Sequence, residues 1–526
     1  MRLYRDPVHG DILLSELAAD LIDTPEFQRL GRIMQLGFAH LVYRGATHTR
    51  FAHAVGTYWV SREILRHVHA NHARLGLPLP ASPFISGQGG LTTADLAEIV
   101  SAVALLHDLT HIPFGHTLED ELQDIYLKHD ALDSPRLFFL LFDPRSSVAR
   151  VFDRPRPYIP GLDNSRLRWL VYLTLAFRED ADASPPRSFP DLLAVAGDSA
   201  ASRPDRAAHV DFLGRAAVAY RDLAARGLFQ PFMSDIVSGT VSADLLDYTA
   251  RDLFHTGVRG DFDQRLLHYF FIGRDGPSGA PRLALDVLSP RGYARIDITS
   301  EIMNLMRLRY SMAERVYYHK NKVAASAMLA RGLAARGLPG DTNPYDDPDS
   351  VINPALSDEA MIGRLSGAAE SRDLGEALLN RQLYIPAAVL TEPLAREIGD
   401  PEKFVDFFRG RPDGRRRLFD LQAELSALTG LGPHGVIVYC PPRKMQAKAI
   451  AAPVRFEENR IVPLSDHPDF HDEAELLNRK YQGLWKAFAF VHPAAVSRPG
   501  LVSQIADTFC RRLAIPPAFA RRLTAM

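Results

Sequence analysis

The chain has 526 residues, 46% of them hydrophobic and 24% charged, which excludes an intrinsically disordered chain and leaves room for several domains or one large helical one. A formal net charge of −2 excludes an obvious polyanion binder: it does not indicate nucleic acid, although a local basic pocket for one stays open. Two cysteines, Cys440 and Cys510, exclude a disulfide scaffold or a structural zinc array, and no apolar run approaches the ~18 residues of a membrane helix. The opening segment MRLYRDPVHG has no apolar signal region, so a cytoplasmic protein without a membrane partner is expected.

In chain order, residues 15–36 carry an interrupted amphipathic stripe, with Asp23-Thr24-Pro25 marking the start of a second helix inside it. The pattern predicts helices over 54–73 and 93–109, separated by a Gly/Pro-rich loop insertion near 73–95. Further loops are predicted near 180–206 and 337–356, and helices over 208–226, 240–255 and 298–335. From 434 to 464, and again near 488, alternating and β-branched residues predict a small α+β region. The expected fold is mostly α. Its expected units are a helical domain over 1–335, a helical extension with loops over 336–430, and a C-terminal α+β subdomain over 431–526.

The nineteen histidines are unevenly spread. His40, His48 and His53 stand close together, as do His107, His111, His116 and His129. An apolar helix runs into His107-Asp108, and the i, i+4 spacing predicts His107 and His111 on one helical face. A carboxylate buried beside imidazoles needs a compensating cation, and a divalent metal is the simplest one. Nitrogen and oxygen donors together suit Mg, Mn, Fe, Ni or Zn.

The segments ATHTRFAHAVG, LLHDLTHIPFGH and SADLLDYTARD resemble the three signatures of the HD-domain phosphohydrolases. With DPVHGDILL, DTPEFQRLGRIMQLG and RVYYHKNKVA they are similar in particular to the deoxynucleoside triphosphate triphosphohydrolases of the sterile-alpha-motif-and-HD-domain type. The similarity is strong over about 1–330, and no sterile-alpha-motif domain is expected ahead of it. It implies an HD-type helical bundle and a metal held by His53, His107, Asp108 and Asp244. It implies His111, His116 and His129 as proton-handling groups near the scissile phosphorus, with Asp130 orienting His129. It places Gln35, Leu36, Tyr248 and Asp252 at the sugar, Arg50 and Arg309 at the phosphates, Tyr317 beside the base, and His319 and Lys320 in the same substrate-contacting text.

Three positions depart from that pattern. Leu245 stands where the family places a phosphate-binding Lys, Thr110 where it places Gly, and Gly31 where nucleotide-activated relatives read guanine with Arg. The resemblance therefore implies a homo-oligomer without the guanine-nucleotide switch. The expected function is metal-dependent cleavage of a dNTP to deoxynucleoside and triphosphate. The alternatives are an HD hydrolase of another nucleotide, a nucleotide signal or single-stranded nucleic acid, and a nucleotide- or nucleic-acid-binding HD module with little turnover.

Overall fold

The computed structural model describes residues 2–115, 118–119, 131–132, 134–178, 187–201, 206–274, 279–289, 291–293, 295–335, 352–410, 413–443, 451–457, 460–466 and 468–524. The fold is mostly α, an HD-type helical bundle with small sheets, and no helix among the described residues is long and apolar enough to cross a membrane.

Three helices build the centre. Helix α1 (Arg50–Leu75) ends at Gly76, whose φ of 64° is the left-handed cap that glycine adopts most cheaply. Helix α2 (Thr93–Leu106) starts in a capping box between Thr92 and Asp95. Residues Ile99–Leu106 of α2 are all buried, so the helix is core on every side rather than amphipathic. Helix α3 (Ala243–Thr256) is capped by Ser242. Gly56 lets α1 and α3 approach: a Cβ there would lie 1.9 Å from Asp247 Oδ1 and 2.3 Å from Arg251 Nη2.

The structure corrects several sequence expectations. Helix α2 stops at Leu106, and His107 is its C-cap, so His107 and His111 do not share a helical face. The loop expected over 180–206 contains a helix, Phe189–Ala201. Its Phe189, Leu193, Ala196 and Ala200 are buried at helical spacing, and Phe189 packs edge-on against Phe177 and Tyr220, so packing overrides the surrounding Pro and Ser. The single helix expected over 298–335 is two, α4 (Ile296–Met312) and Lys320–Ala335, joined through a π-helical turn at Ala313–Tyr317. Helix α5 (Pro468–Gln482) falls between the β-rich segments of the tail.

Strands β1 (Arg2–Asp6) and β2 (Gly10–Leu14) form an antiparallel hairpin. Strands β3 (Phe270–Arg274), β4 (Pro281–Asp286), β7 (Pro453–Glu457) and β8 (Arg460–Pro463) form one sheet in the order 3-4-7-8, with β4 and β7 parallel. Strands β5 (Ile385–Thr391), β6 (Val436–Tyr439) and β9 (Lys486–Val491) form another, ordered 5-9-6. Strand pairing thus crosses both positions, near 335 and near 430, where the sequence suggested domain boundaries.

Candidate active site

Four side chains converge from three helices. His53 Nε2 lies 3.2 Å from His107 Nε2 and 3.1 Å from Asp244 Oδ1. His107 Nε2 lies 3.6 Å from Asp244 Oδ1 and 3.5 Å from Asp108 Oδ1. The second nitrogen of each imidazole is already committed: His53 Nδ1 donates to Asp247 Oδ2 at 2.7 Å and His107 Nδ1 to the Ala104 carbonyl at 2.7 Å. In their neutral forms both rings therefore turn bare Nε2 lone pairs toward each other and toward carboxylate oxygens. A proton on one ring or a metal ion between the donors relieves that arrangement. For bonds of ~2.1 Å, adjacent metal ligands stand about 3.0–3.4 Å apart, so the donor set fits a divalent metal.

The electrostatics express the same need. Burial disfavours a charged His53, yet Asp244, Asp247 and Asp108 outweigh it and push its pKa up to about 10. Burial likewise opposes an ionised Asp108, but Arg50, His107 and His111 hold it well below the usual carboxylate range. Arg50 Nη1 donates to Asp108 Oδ2 at 2.6 Å, and His111 Nε2 lies 3.2 Å from Asp108 Oδ1. Arg50 by itself thus neutralises the buried carboxylate. The charge argument made from sequence does not require a metal; the convergence of two Nε2 atoms and carboxylate oxygens is what fits one.

Behind the cluster lies a layer to which sequence reading assigned no role. Asp247 Oδ1 accepts from His9 Nε2 at 2.6 Å, while Arg251 donates to both Asp247 oxygens at 2.8 and 2.9 Å. Arg251 also reaches Asp6 at 2.8 and 3.2 Å, and the His9 ring stacks on Trp59 at 4.5 Å. Asp6 and His9 belong to the DPVHG turn between β1 and β2, so the hairpin buttresses His53 through Asp247. The signal was present in sequence as Asp247 and Arg251 at i, i+4, a spacing that pairs them on α3. Buried Arg29 braces the turn after α2, donating to the carbonyls of His111 at 2.8 Å and Leu109 at 2.7 Å. Burial first, then the nearby Arg136 and Arg50, lower its pKa to about 10.

The expected substrate residues divide. Tyr248 faces the cluster, its ring 6.5 Å from that of His53, and the Arg309 guanidinium sits 6.0 Å over it. Asp252 is buried and doubly engaged, with His48 Nε2 at 2.8 Å and the Tyr317 hydroxyl at 2.6 Å. His48 is thus a site residue to which the sequence reading gave no role. Gln35 Oε1 is buried without a partner, while Leu36 packs against a small cluster that includes Leu253, Met312 and Val316. Arg50, expected on phosphate, is buried against Asp108. His319 and Lys320 are not brought to the cluster; they line a separate cavity of about 470 Å³ with Tyr318, Ile385, Lys486 and Phe488. Leu245 and Thr110 are buried, and Gly31 is exposed. His116, His129 and Asp130 lie outside the described residues.

No family model matches the chain. Among curated proteins, the deoxynucleoside triphosphate triphosphohydrolase SAMHD1 of Xenopus laevis is 26% identical over 272 residues, 50% of this chain and 36% of that protein. An HD domain-containing protein of Acanthamoeba polyphaga mimivirus is 22% identical over 329 residues, 62% of this chain and 56% of the relative. The uncharacterized protein YwfO of Bacillus subtilis is 37% identical over 335 residues, 63% of this chain and 55% of the relative. The chain therefore spans about half, or less, of the length of these relatives. In sequence and in its His/Asp cluster it resembles the HD-domain phosphohydrolases. Within that class it resembles the SAMHD1 type, at moderate identity over about half its length.

Proposed function

We propose that the chain is a metal-dependent nucleotide phosphohydrolase that cleaves a dNTP to deoxynucleoside and triphosphate. The observation that carries the reading is the pair of Nε2 atoms 3.2 Å apart, both with Nδ1 committed elsewhere. His53, His107, Asp108 and Asp244 would hold a divalent metal, which supplies Lewis-acid polarisation and a lowered water pKa. Water adds to the α-phosphorus and the Pα–O5′ bond breaks. The deoxynucleoside leaves with its 5′ oxygen protonated, and triphosphate is the second product. His111, fixed beside Asp108, is positioned to hold or move a proton, and His116 and His129, with Asp130 orienting the latter, complete that set. Tyr248 packs against the sugar, with Gln35 and Leu36 at its edge. Asp252 holds His48 and Tyr317 in place and thereby sets the wall beside the base. Arg309 meets the phosphate chain, and Arg50 holds Asp108 ionised. The active form is a cytoplasmic homo-oligomer that assembles without guanine nucleotide.

Product chromatography on dNTPs, NTPs and short oligonucleotides, with and without added divalent metal, tests the reading. Deoxynucleoside and tripolyphosphate are expected, with kcat/KM about 10–100-fold higher for dATP than for ATP because a packed ring leaves a 2′-hydroxyl without room. Release of monophosphate and pyrophosphate, or equal use of ATP and dATP, would overturn the dNTP assignment. Binding without turnover would favour the nucleotide-responsive module.

A further inference from the structure

Two polar atoms near Tyr248 are buried without a hydrogen-bond partner among the described residues: Arg309 Nη1 and the Tyr481 hydroxyl. Tyr481 is only 6% exposed. It comes from α5, more than two hundred residues beyond the His/Asp cluster. Helix α5 is held on α4 by the Arg307–Glu473 ion pair and by Tyr310 and Tyr481, whose rings meet edge-on at 5.4 Å. Arg309, on the same α4, lies over Tyr248, and Tyr248 lies against His53. Contacts thus link the His/Asp cluster to Tyr248 and Arg309, and Arg309 and Tyr481 lie close enough for each to act on the other's charge.

The chemistry of the two open atoms narrows what belongs between them. A guanidinium nitrogen can only donate, and a phenol needs an acceptor for its proton. Leaving such groups unpaired in the interior costs about 1–3 kcal/mol each, and a Phe at 481 would avoid that cost. The electrostatic setting agrees: burial raises the Tyr481 pKa and keeps the hydroxyl protonated, while Arg309 acts in the opposite direction. The first turn of α3 offers no cation on this side, since Leu245 is apolar and buried next to Asp244. An acceptor-only, negatively charged group satisfies both open donors at once.

We propose that α5 completes the phosphate end of the substrate pocket, with the Tyr481 hydroxyl and Arg309 Nη1 donating together to the terminal phosphate of the bound nucleotide. The assignment rests on the nucleotide reading above for the identity of the ligand and extends it to a residue of the C-terminal region.

Titration of inorganic tripolyphosphate into the full-length, metal-depleted chain tests it directly. Tyr481→Phe should weaken tripolyphosphate binding about tenfold and raise KM for a dNTP by a similar factor, with kcat within about twofold. Deoxynucleoside monophosphate, which lacks the outer phosphates, should bind both proteins alike. The variant should melt no lower than the parent, because it removes a buried hydroxyl without a partner; a merely structural tyrosine would show the reverse. On the unaltered protein, tripolyphosphate should slow amide exchange across 468–482, a readout independent of how the variant folds. Unchanged tripolyphosphate affinity in the variant, or unchanged exchange in that helix, overturns the proposal. Tyr481-dependent tripolyphosphate binding without turnover of any nucleotide would uphold the subsite and remove the hydrolase reading. Turnover with a KM indifferent to Tyr481 would remove the subsite alone.

Discussion

The His53 and Tyr481 ends of this region are built on opposite plans. At the His53 end, ring nitrogens and carboxylates are held by Asp247, Ala104, Arg50 and Arg251, and the second layer reaches the N-terminal hairpin. At the Tyr481 end, Arg309 Nη1 and a phenol stand buried with no hydrogen-bond partner among the described residues. The first end is preorganised: its donor geometry is set before anything arrives, as a metal centre requires. The second end stores an unmet hydrogen-bonding demand that only an incoming acceptor satisfies. One end fixes the position of chemistry, and the other selects what is brought to it.

The largest expected effect breaks the preorganised end outright. Changing His107 and Asp108 together to Ala should remove bound metal by elemental analysis and abolish turnover in a chain that stays folded. Full metal stoichiometry in that double variant would refute the ligand set. Next, Arg251→Met strands Asp6 and Asp247 as buried charges without their shared cation, and should cost about 3–5 kcal/mol by denaturant unfolding. A loss below about 1 kcal/mol would show that the second layer carries little of the fold.

Asp247→Asn is gentler, since it keeps the shape and removes the charge that orients His53. Metal affinity should fall about 10–100-fold by calorimetry, while the melting temperature of the metal-free protein changes less than in Arg251→Met. An unchanged affinity would mean that the cluster does not depend on its second layer.

The smallest effect concerns Asp358, a buried carboxyl whose Oδ2 accepts from the Met34 amide at 2.8 Å. Burial raises its pKa to about 6, against the lowering by the Met34 amide and Arg50. A raised carboxyl pKa favours the neutral form in the folded state. Its stabilising contribution is therefore fully present below about pH 4 and is lost as pH rises through about 6. Asp358→Asn should flatten that part of the stability–pH profile, by up to about 3 kcal/mol. An identical profile in the variant would place the titration elsewhere.

Much of the site was legible because its signals are local. His53, His107, Asp108 and Asp244 sit in short dense motifs, and the structure gathers His53, His107 and Asp108 into one group, with Asp244 Oδ1 3.1 Å from His53 Nε2. Local signals also misled. Spacing put His107 and His111 on one helical face, but α2 ends at Leu106, where Arg29 takes the carbonyls of Leu109 and His111 that a continuing helix would have used. The Pro- and Ser-rich stretch before Arg206 read as loop, although Phe189 and Leu193 bury a helix there. His319 and Lys320 adjoin Tyr317 in sequence, yet the turn at Ala313–Tyr317 separates them, leaving Tyr317 on Asp252 and the other two at a different cavity.

By itself the sequence determined the helical class, the HD resemblance and the grouping of His53, His107 and Asp108, because periodicity and motif spacing act over a few residues. Only the tertiary structure decided that Arg50 neutralises Asp108, that Asp6 and His9 stand behind His53, and that Tyr481 lies near Arg309. Those pairings join residues 58, 238 and 172 positions apart, and no local pattern encodes them. They arise because burial leaves each charge or polar group only the partners that packing places within hydrogen-bond reach.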